Sequence, residues 1–347
     1  MATVKDVARL AGVGSGTVSR YISGNGSVSK KSAEKIERAI KQLNYRPNSM
    51  ARSLSSRRSD LIGVWVPSLE GPYYHMIIRA VEQELRLHNK HMILANAEDA
   101  RSDADRRAHF DYLVNRDCDG ILMSCSLQGT FELARTCEHF ANLVLLNHQA
   151  DALAGRCFFI DHELGGRLAA RHLVELGHEK IAVITGRLSA QDARQRHDGF
   201  LDEMAKLGRS VPEDCVVEGA FSYAAAERLV SAFLDMNLDF TAVFCGNDKV
   251  AMLLISELNN RGISVPRDVS VLGYDDVDFA AYTAPPLSTI HAPIDEMARS
   301  ACRQLLNLTY DTDLPFQERF EPSLCVRRST AALGLGPNAN TNATRTG

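Results

Sequence analysis

The chain has 347 residues, 45% of them hydrophobic and 24% charged, a length that gives two or three units each able to build its own core. Its net charge of −4 is unevenly placed: residues 1–60 hold 12 basic and 4 acidic side chains, a net of +8, and the remainder nets −12. A basic head on an acidic body is the footprint of a polyanion partner confined to the head. No run of about 18 apolar residues occurs, which speaks against a membrane span, and Met1-Ala2-Thr3-Val4-Lys5-Asp6 lacks the signature of a secretory signal, so the expected location is cytoplasmic.

In the head, Thr3 followed by Asp6 reads as a capping box. The helix it opens carries Val4, Val7, Ala8 and Ala11 on one face; Gly12 stops it, and Val13 anchors the turn. A second short helix, from about Ser15 to Tyr21, buries Val18 and Ile22. A third, from about Ser32 to Leu43, has Ile36, Ala39, Ile40 and Leu43 in helical register. Two helices joined by a tight glycine turn form a helix-turn-helix, whose second helix is free to enter a major groove. Gly12, Gly14 and Gly16 do not make a nucleotide loop, because the last glycine of GxGxxG falls on Thr17 and no strand precedes it.

Pro47 to Leu54 is helix-competent: Pro47 and Asn48 supply start chemistry, Met50 and Leu54 share a face, and Ala51 keeps the space between them open. So short a helix is marginal in water, and it is expected to fold where a partner receives its apolar edge. Arg52, Arg57 and Arg58 add attraction for phosphates.

The body opens with the apolar run Leu61 to Val66, then a helical stretch from about Tyr73 to Leu87. Strands follow near 91–95, 119–124, 143–147 and 157–161, and again at Lys180–Thr185, Thr241–Cys245 and Val269–Gly273, with helical stretches between. This alternation predicts an α/β fold with parallel sheets, and there are strands enough for two. Ligands in such sheets bind beyond the carboxyl ends of the strands. The candidates there are Arg196, Asn247, Asp275, Asp161 and Asn147, with Tyr73 and Phe221 as aromatic surfaces. Guanidinium, amide and carboxylate groups around rings suit a polyhydroxylated ligand; for Asp161, Asn147, Tyr73 and Phe221 a hinge or packing role serves nearly as well. The 8 Cys form no CxxC pair, and Cys125, Cys157 and Cys245 sit in apolar runs as buried thiols. His172 and His178, around a helix end, read as capping or surface residues, not metal ligands. There is no GxSxG, P-loop or HExxH, so no catalytic residue, cofactor or metal is expected. The last residues, 330–347, mix Gly, Pro, Asn and Thr without periodicity and read as a disordered tail.

Thr3-Val4-Lys5-Asp6-Val7-Ala8, Ala11-Gly12-Val13, Thr17-Val18-Ser19-Arg20 and Tyr45-Arg46-Pro47-Asn48 resemble the signature of the lactose/purine-repressor family of bacterial transcription factors, several motifs in one order at one spacing. The resemblance continues over residues 61–329 through Leu61-Ile62-Gly63-Val64, Gly177-His178, Arg196 with Gly199-Phe200, Asn247-Asp248, Val265-Pro266 and Gly273-Tyr274-Asp275-Asp276. It implies an all-α helix-turn-helix DNA-binding domain at 1–46, a hinge helix and linker at 47–60, and an α/β two-lobed periplasmic-binding-protein-like core with parallel sheets at 61–329. The amino lobe is expected at about 61–160 and 291–320, and the carboxy lobe at about 161–290 plus the terminal segment. By the same resemblance, Val4, Ser15, Gly16, Thr17, Ser19, Arg20, Ser29 and Tyr45 meet operator DNA, while Asn48, Ala51 and Leu54 serve the minor groove, Leu54 as a wedge. Arg20 is placed to pair with a guanine or to hold a phosphate. Arg196 and Asp275 match positions that contact effectors.

The function so implied is a homodimeric repressor of a carbohydrate-utilisation operon, with a tetramer as the alternative assembly, controlled by a sugar bound between the lobes. A regulator responding to a purine or another small metabolite is the alternative; a sugar-binding transport protein is opposed by the basic head. Gly14-Ser15-Gly16 departs from the family, which commonly places larger side chains there, and shifts the burden of specificity toward Arg20, the hinge and DNA shape.

Overall fold

The computed structural model describes residues 2–23, 27–45, 58–98, 102–124, 140–149, 153–219 and 222–334. In the head, α1 (Val4–Ala11), α2 (Ser15–Ser23) and α3 (Lys30–Gln42) enclose Val7, Ala8, Ala11, Val18, Ile36 and Ala39. The Thr3 hydroxyl accepts the Asp6 N–H while the Asp6 carboxylate accepts the Thr3 N–H, so two amides that the helix leaves open are satisfied. Gly12 ends α1 at φ +65°, a conformation that glycine adopts at no steric cost. Tyr45, expected at DNA, closes this small core instead and is buried. Residues 46–57, and with them Asn48, Ala51 and Leu54, lie outside the described residues, as do Phe221 and Cys125.

The core carries two six-stranded sheets among the described residues. The first runs β11-β5-β4-β3-β1-β2, from β1 (Leu61–Val66), β2 (His91–Asn96), β3 (Gly120–Ser124), β4 (Leu143–Leu146), β5 (Cys157–Ile160) and β11 (Arg319–Phe320). The second runs β12-β10-β9-β8-β6-β7, from β6 (Ile181–Ile184), β7 (Val216–Val217), β8 (Ala242–Cys245), β9 (Ser270–Asp275), β10 (Ser288–His291) and β12 (Ser323–Cys325). Pairing is parallel from β1 through β3, β4 and β5 to β11, and from β7 through β6, β8 and β9 to β10; β12 is antiparallel to β10. The central strands, such as Leu143-Val144-Leu145-Leu146 and Ala242-Val243-Phe244-Cys245, are buried at every position, because helices cover both faces of a parallel sheet.

The chain leaves the first sheet after Ile160 and returns beyond His291, where α10 (Ile294–Tyr310) packs on α4 (Pro72–Leu87) and on β3, β4 and β5. It crosses once more between Phe320 and Ser323. The remaining helices are α5 (Asp103–Val114) in the first part and α6 (His162–Glu175), α7 (Gln191–Lys206), α8 (Tyr223–Asp235) and α9 (Asp248–Asn260) in the second.

Two expectations are corrected here. The tail does not begin at 330: Thr330 is buried, and the Leu333 N–H donates to the Leu176 carbonyl at 2.8 Å; residues 335–347 lie outside the described ones. His172 and His178 are not at the surface, because this terminal strap covers them. The His172 ring bonds the Thr330 hydroxyl at 3.0 Å, and His178 bonds the hydroxyls of Thr241 and Ser270 and the carbonyl of Ala331. Burial holds both imidazoles below their usual range and therefore uncharged at neutral pH. No helix among the described residues is long and apolar enough to cross a membrane.

Candidate functional site

On the head, Ser15 and Ser19, and Gly16 and Arg20, stand at helical spacing along α2 and are exposed. The Arg20 Nε–H donates to the Gly16 carbonyl at 3.3 Å, which lays the guanidinium along its own helix. Thr17 and Val4 are half-buried. Ser29 accepts the Ser32 N–H at 3.2 Å and so caps α3. The exposed face of α2 is thus a small-residue surface with the Arg20 guanidinium, and Ser29 and Tyr45 have structural duties that the sequence did not reveal.

Within the core, a cavity of about 390 Å³ opens beyond the carboxyl ends of strands from both sheets, in the size range of small-molecule sites. From the first sheet's side come Glu70, Tyr73, Tyr74, Glu98 and Arg106, and from the second Arg187, Asp192, Arg196, Asn247, Lys249 and Asp275. Tyr73, Arg196, Asn247 and Asp275 are therefore brought together. Asn147 and Asp161 are not in the lining. Asn147 is buried beneath it, against His162; Asp161 caps α6 by accepting the Leu164 N–H at 2.9 Å and binds the Arg319 guanidinium at 2.6 Å. Its position after β5 made it a candidate, but the chain crosses between sheets there, and its carboxylate serves that crossing.

Arg196 is the centre of the cavity floor. Its Nη2–H donates to Asp192 at 2.7 Å and its Nη1–H to the Gly246 carbonyl at 2.5 Å; Nη1 stands 3.7 Å from Asp275, and the guanidinium lies 4.3 Å from the centre of the Tyr274 ring. Burial opposes its charge, but Asp192 and Asp275 outweigh that and hold it protonated. Removing one member of so buried a cluster strands the others, at a cost of about 3–5 kcal/mol. Helix contact fixes the backbone of Arg196: a Cβ on Gly166 of α6 would come within 2.2 Å of the Arg196 carbonyl oxygen, and one on Gly199 within 2.3 Å of the Glu163 carbonyl oxygen. Only glycine lets α6 and α7 approach that closely.

Several buried polar atoms of the floor have no hydrogen-bond partner: one carboxylate oxygen each of Asp192 and Asp275, the Tyr73 hydroxyl and the Arg196 Nε. Burial pushes the Asp275 carboxyl up to about 7, against the pull of Arg196, with Asp192 adding to the rise. Tyr73, beside Asp192 and Asp275, is also held well above its usual range, chiefly by burial. At the rim, the Glu70 carboxylate accepts the Tyr223 N–H at 2.9 Å, satisfying the first turn of α8 from across the cavity. Asn247 lines the cavity and caps α9, accepting the Val250 N–H at 2.9 Å. Tyr73 and Tyr74 meet edge to face, with ring centres 5.1 Å apart.

Sequence reasoning missed Asp192, Glu70 and Lys249. Asp192 stands four residues before Arg196 on one helix, and that spacing was a usable signal. Glu70 follows β1 directly and belonged among the strand-end candidates.

The family model described as bacterial regulatory proteins, lacI family, matches residues 3–48, and that of a periplasmic binding protein-like domain matches residues 170–330. The chain is 34% identical over 341 residues to the HTH-type transcriptional repressor PurR of Haemophilus influenzae, spanning 96% of this chain and 100% of the relative. To the HTH-type transcriptional regulator GalR of Escherichia coli it is 32% identical over 336 residues, 96% of this chain and 97% of the relative. Among solved structures, the lac repressor dimer bound to operator and the anti-inducer ONPF matches with a TM-score of 0.84 at 28% identity, over 95% of this chain and 99% of that one. A complex of the transcriptional regulator CelR with cellobiose matches with a TM-score of 0.67 at 31% identity, over 95% and 100%.

Proposed function

This chain belongs to the lacI family of bacterial regulatory proteins, and on that premise we propose that it is a homodimeric repressor of a carbohydrate-utilisation operon, released or recruited by a sugar held in the cavity between its two sheets. The observation that carries the sugar reading is the set of unpartnered buried atoms on the floor. The Asp192 oxygen accepts, the Asp275 carboxyl accepts when ionised and can donate when protonated, the Tyr73 hydroxyl can do either, and the Arg196 Nε can donate. A ligand rich in hydroxyl donors satisfies them, whereas a phosphate meets the carboxylates of Asp192 and Asp275. The edge-to-face Tyr73–Tyr74 pair offers no parallel slot for a flat base. Similarity to PurR favours the second reading, a purine effector.

A thermal-shift panel of sugars, sugar phosphates and purines separates the two, since a ligand selective for the native state raises its melting temperature. We expect a neutral sugar to do so, and the shift to vanish in Arg196→Ala while operator binding survives. Stabilisation by purines alone would overturn the sugar reading.

On the DNA side, the same proposal has α2 enter the major groove of double-stranded operator and the hinge segment, Leu54 included, the minor groove. Dimerisation is supported by the relatives and by the exposed rings of Phe279 and Tyr282, the latter 84% accessible; a tetramer is the alternative. A regulator of this kind works where the chromosome is, in the cytoplasm. Effector and operator are then linked reciprocally, each changing the affinity for the other by the same factor.

A further inference from the structure

We propose that His162 is a positioning residue of the effector cavity: it is absent from the lining, yet it fixes the Tyr274 ring on which Arg196 rests and ties that ring to Asn147 of the other sheet. The inference rests on the reading of the cavity as an effector site. His162 is the first residue of α6, immediately after the chain passes from the first sheet to the second, and it is 2% exposed. Its Nε2 lies 2.7 Å from the Asn147 side-chain oxygen and its Nδ1 lies 2.9 Å from the Tyr274 hydroxyl. An amide oxygen only accepts, so Nε2 carries the proton; Nδ1 then accepts the proton of the Tyr274 hydroxyl. Both ring nitrogens are used: with the Asn147 oxygen facing Nε2, the imidazole donates there and accepts at Nδ1. Burial, helped by the Arg196 charge, holds its pKa well below the usual range, so the ring is uncharged at neutral pH.

The pair of bonds joins the two halves of the core at a buried point. Asn147 follows β4 of the first sheet, and Tyr274 belongs to β9 of the second. The Tyr274 ring packs directly on α6 at Gly165, where a Cβ would come within 2.3 Å of its hydroxyl oxygen. Arg196 is therefore located twice from the same helix. Its backbone is set by the glycine contact of Gly166, and its guanidinium rests over a ring held by His162. A displacement of α6 against the first sheet must move the guanidinium at the cavity floor, and a ligand that moves the guanidinium must strain the bond to Asn147. His162 thus places the ligand-facing charge and the crossing between sheets under one constraint.

The test needs no effector, so its failure is distinct from failure of the sugar reading. In the full-length protein, the Asp275 carboxyl is titrated by carbon NMR while nitrogen NMR reads the His162 ring. Asp275 is faced by Arg196, Asp192 and Lys249, and its midpoint near 7 reports where the guanidinium sits. The wild-type ring is expected to show a protonated Nε2, a bare Nδ1 and no charge at neutral pH. His162→Phe and Tyr274→Phe should each displace the Asp275 midpoint by at least about half a pH unit, and the double variant should displace it no further than either alone. Tyr274→Phe keeps the ring and its contact with Arg196, so it carries the test even if His162→Phe does not fold: the Asp275 midpoint must move and the His162 Nδ1 signal must lose its hydrogen-bonded shift. Midpoints unchanged in the folded variants, displacements that add, or an Nδ1-protonated ring in the wild type would each overturn the proposal.

Discussion

Asp275 combines a buried carboxylate, one oxygen of which has no hydrogen-bond partner, with a backbone φ of +112° that few residues other than glycine adopt. With its pKa pushed up to about 7, the native state keeps a proton that an unfolded aspartate, titrating near 3.9, has already released. The stability this confers is full below about pH 4 and is lost as the pH rises through about 7. Asp275→Asn keeps the shape without the charge. Its stability relative to wild type should therefore improve progressively from pH 5 to pH 8, by up to a few kcal/mol, in urea unfolding at each pH. Parallel pH curves for the two proteins would count against the buried-charge account. Arg196, Asn247 and Asp275 were legible because strand ends and motif positions pointed to them. The His162–Tyr274 contact was not, because no local pattern brings together two residues 112 positions apart.

Among the elements, α6 and α7 depend on glycine in a way that α2 does not. A Cβ at Gly166 would meet backbone atoms that cannot move aside, whereas one at Gly16 meets nothing within 4 Å. Gly166→Ala should therefore cost roughly 1–3 kcal/mol or more in core stability. Gly16→Ala should stabilise the head by about 0.5–1 kcal/mol, since both residues can adopt the helical conformation and alanine loses less entropy in doing so. Calorimetry of the two variants reads both effects; a neutral Gly166→Ala would mean the helices can separate freely. Long apolar strands were plain in the sequence, but β7 and β11 are two residues each and leave no periodic trace. His172 and His178 misled for a related reason. A histidine near a helix end says surface unless something covers it, and the strap that does so is polar, with Thr330 turned inward against the Ser288 hydroxyl and the His172 imidazole and Ser329 against the Val271 carbonyl and the Ser288 N–H.

For the whole molecule, the division into a basic head and an acidic body was visible from charge alone, while the discontinuous amino lobe came only with the family resemblance. A dimer whose heads each carry a net +8 should lose operator affinity steeply with salt, with a log–log slope on the order of −5 to −10 between 50 and 200 mM, measurable by fluorescence anisotropy. Leu54→Ala should weaken specific operator binding far more than binding to random duplex, and equal losses on both would remove the minor-groove wedge. The route of the chain also governs the order in which the protein can be made. The first sheet has five of its strands by Ile160, yet α10, which covers β3, β4 and β5, ends at Tyr310, and β12 and the strap that close the second sheet come later still. At about 5–20 residues per second, the ribosome leaves the apolar face of the first sheet uncovered for roughly 10–30 s of synthesis. Each half of the core is completed only by segments made near the end of synthesis, so the nascent chain, more than the finished protein, is the species exposed to aggregation.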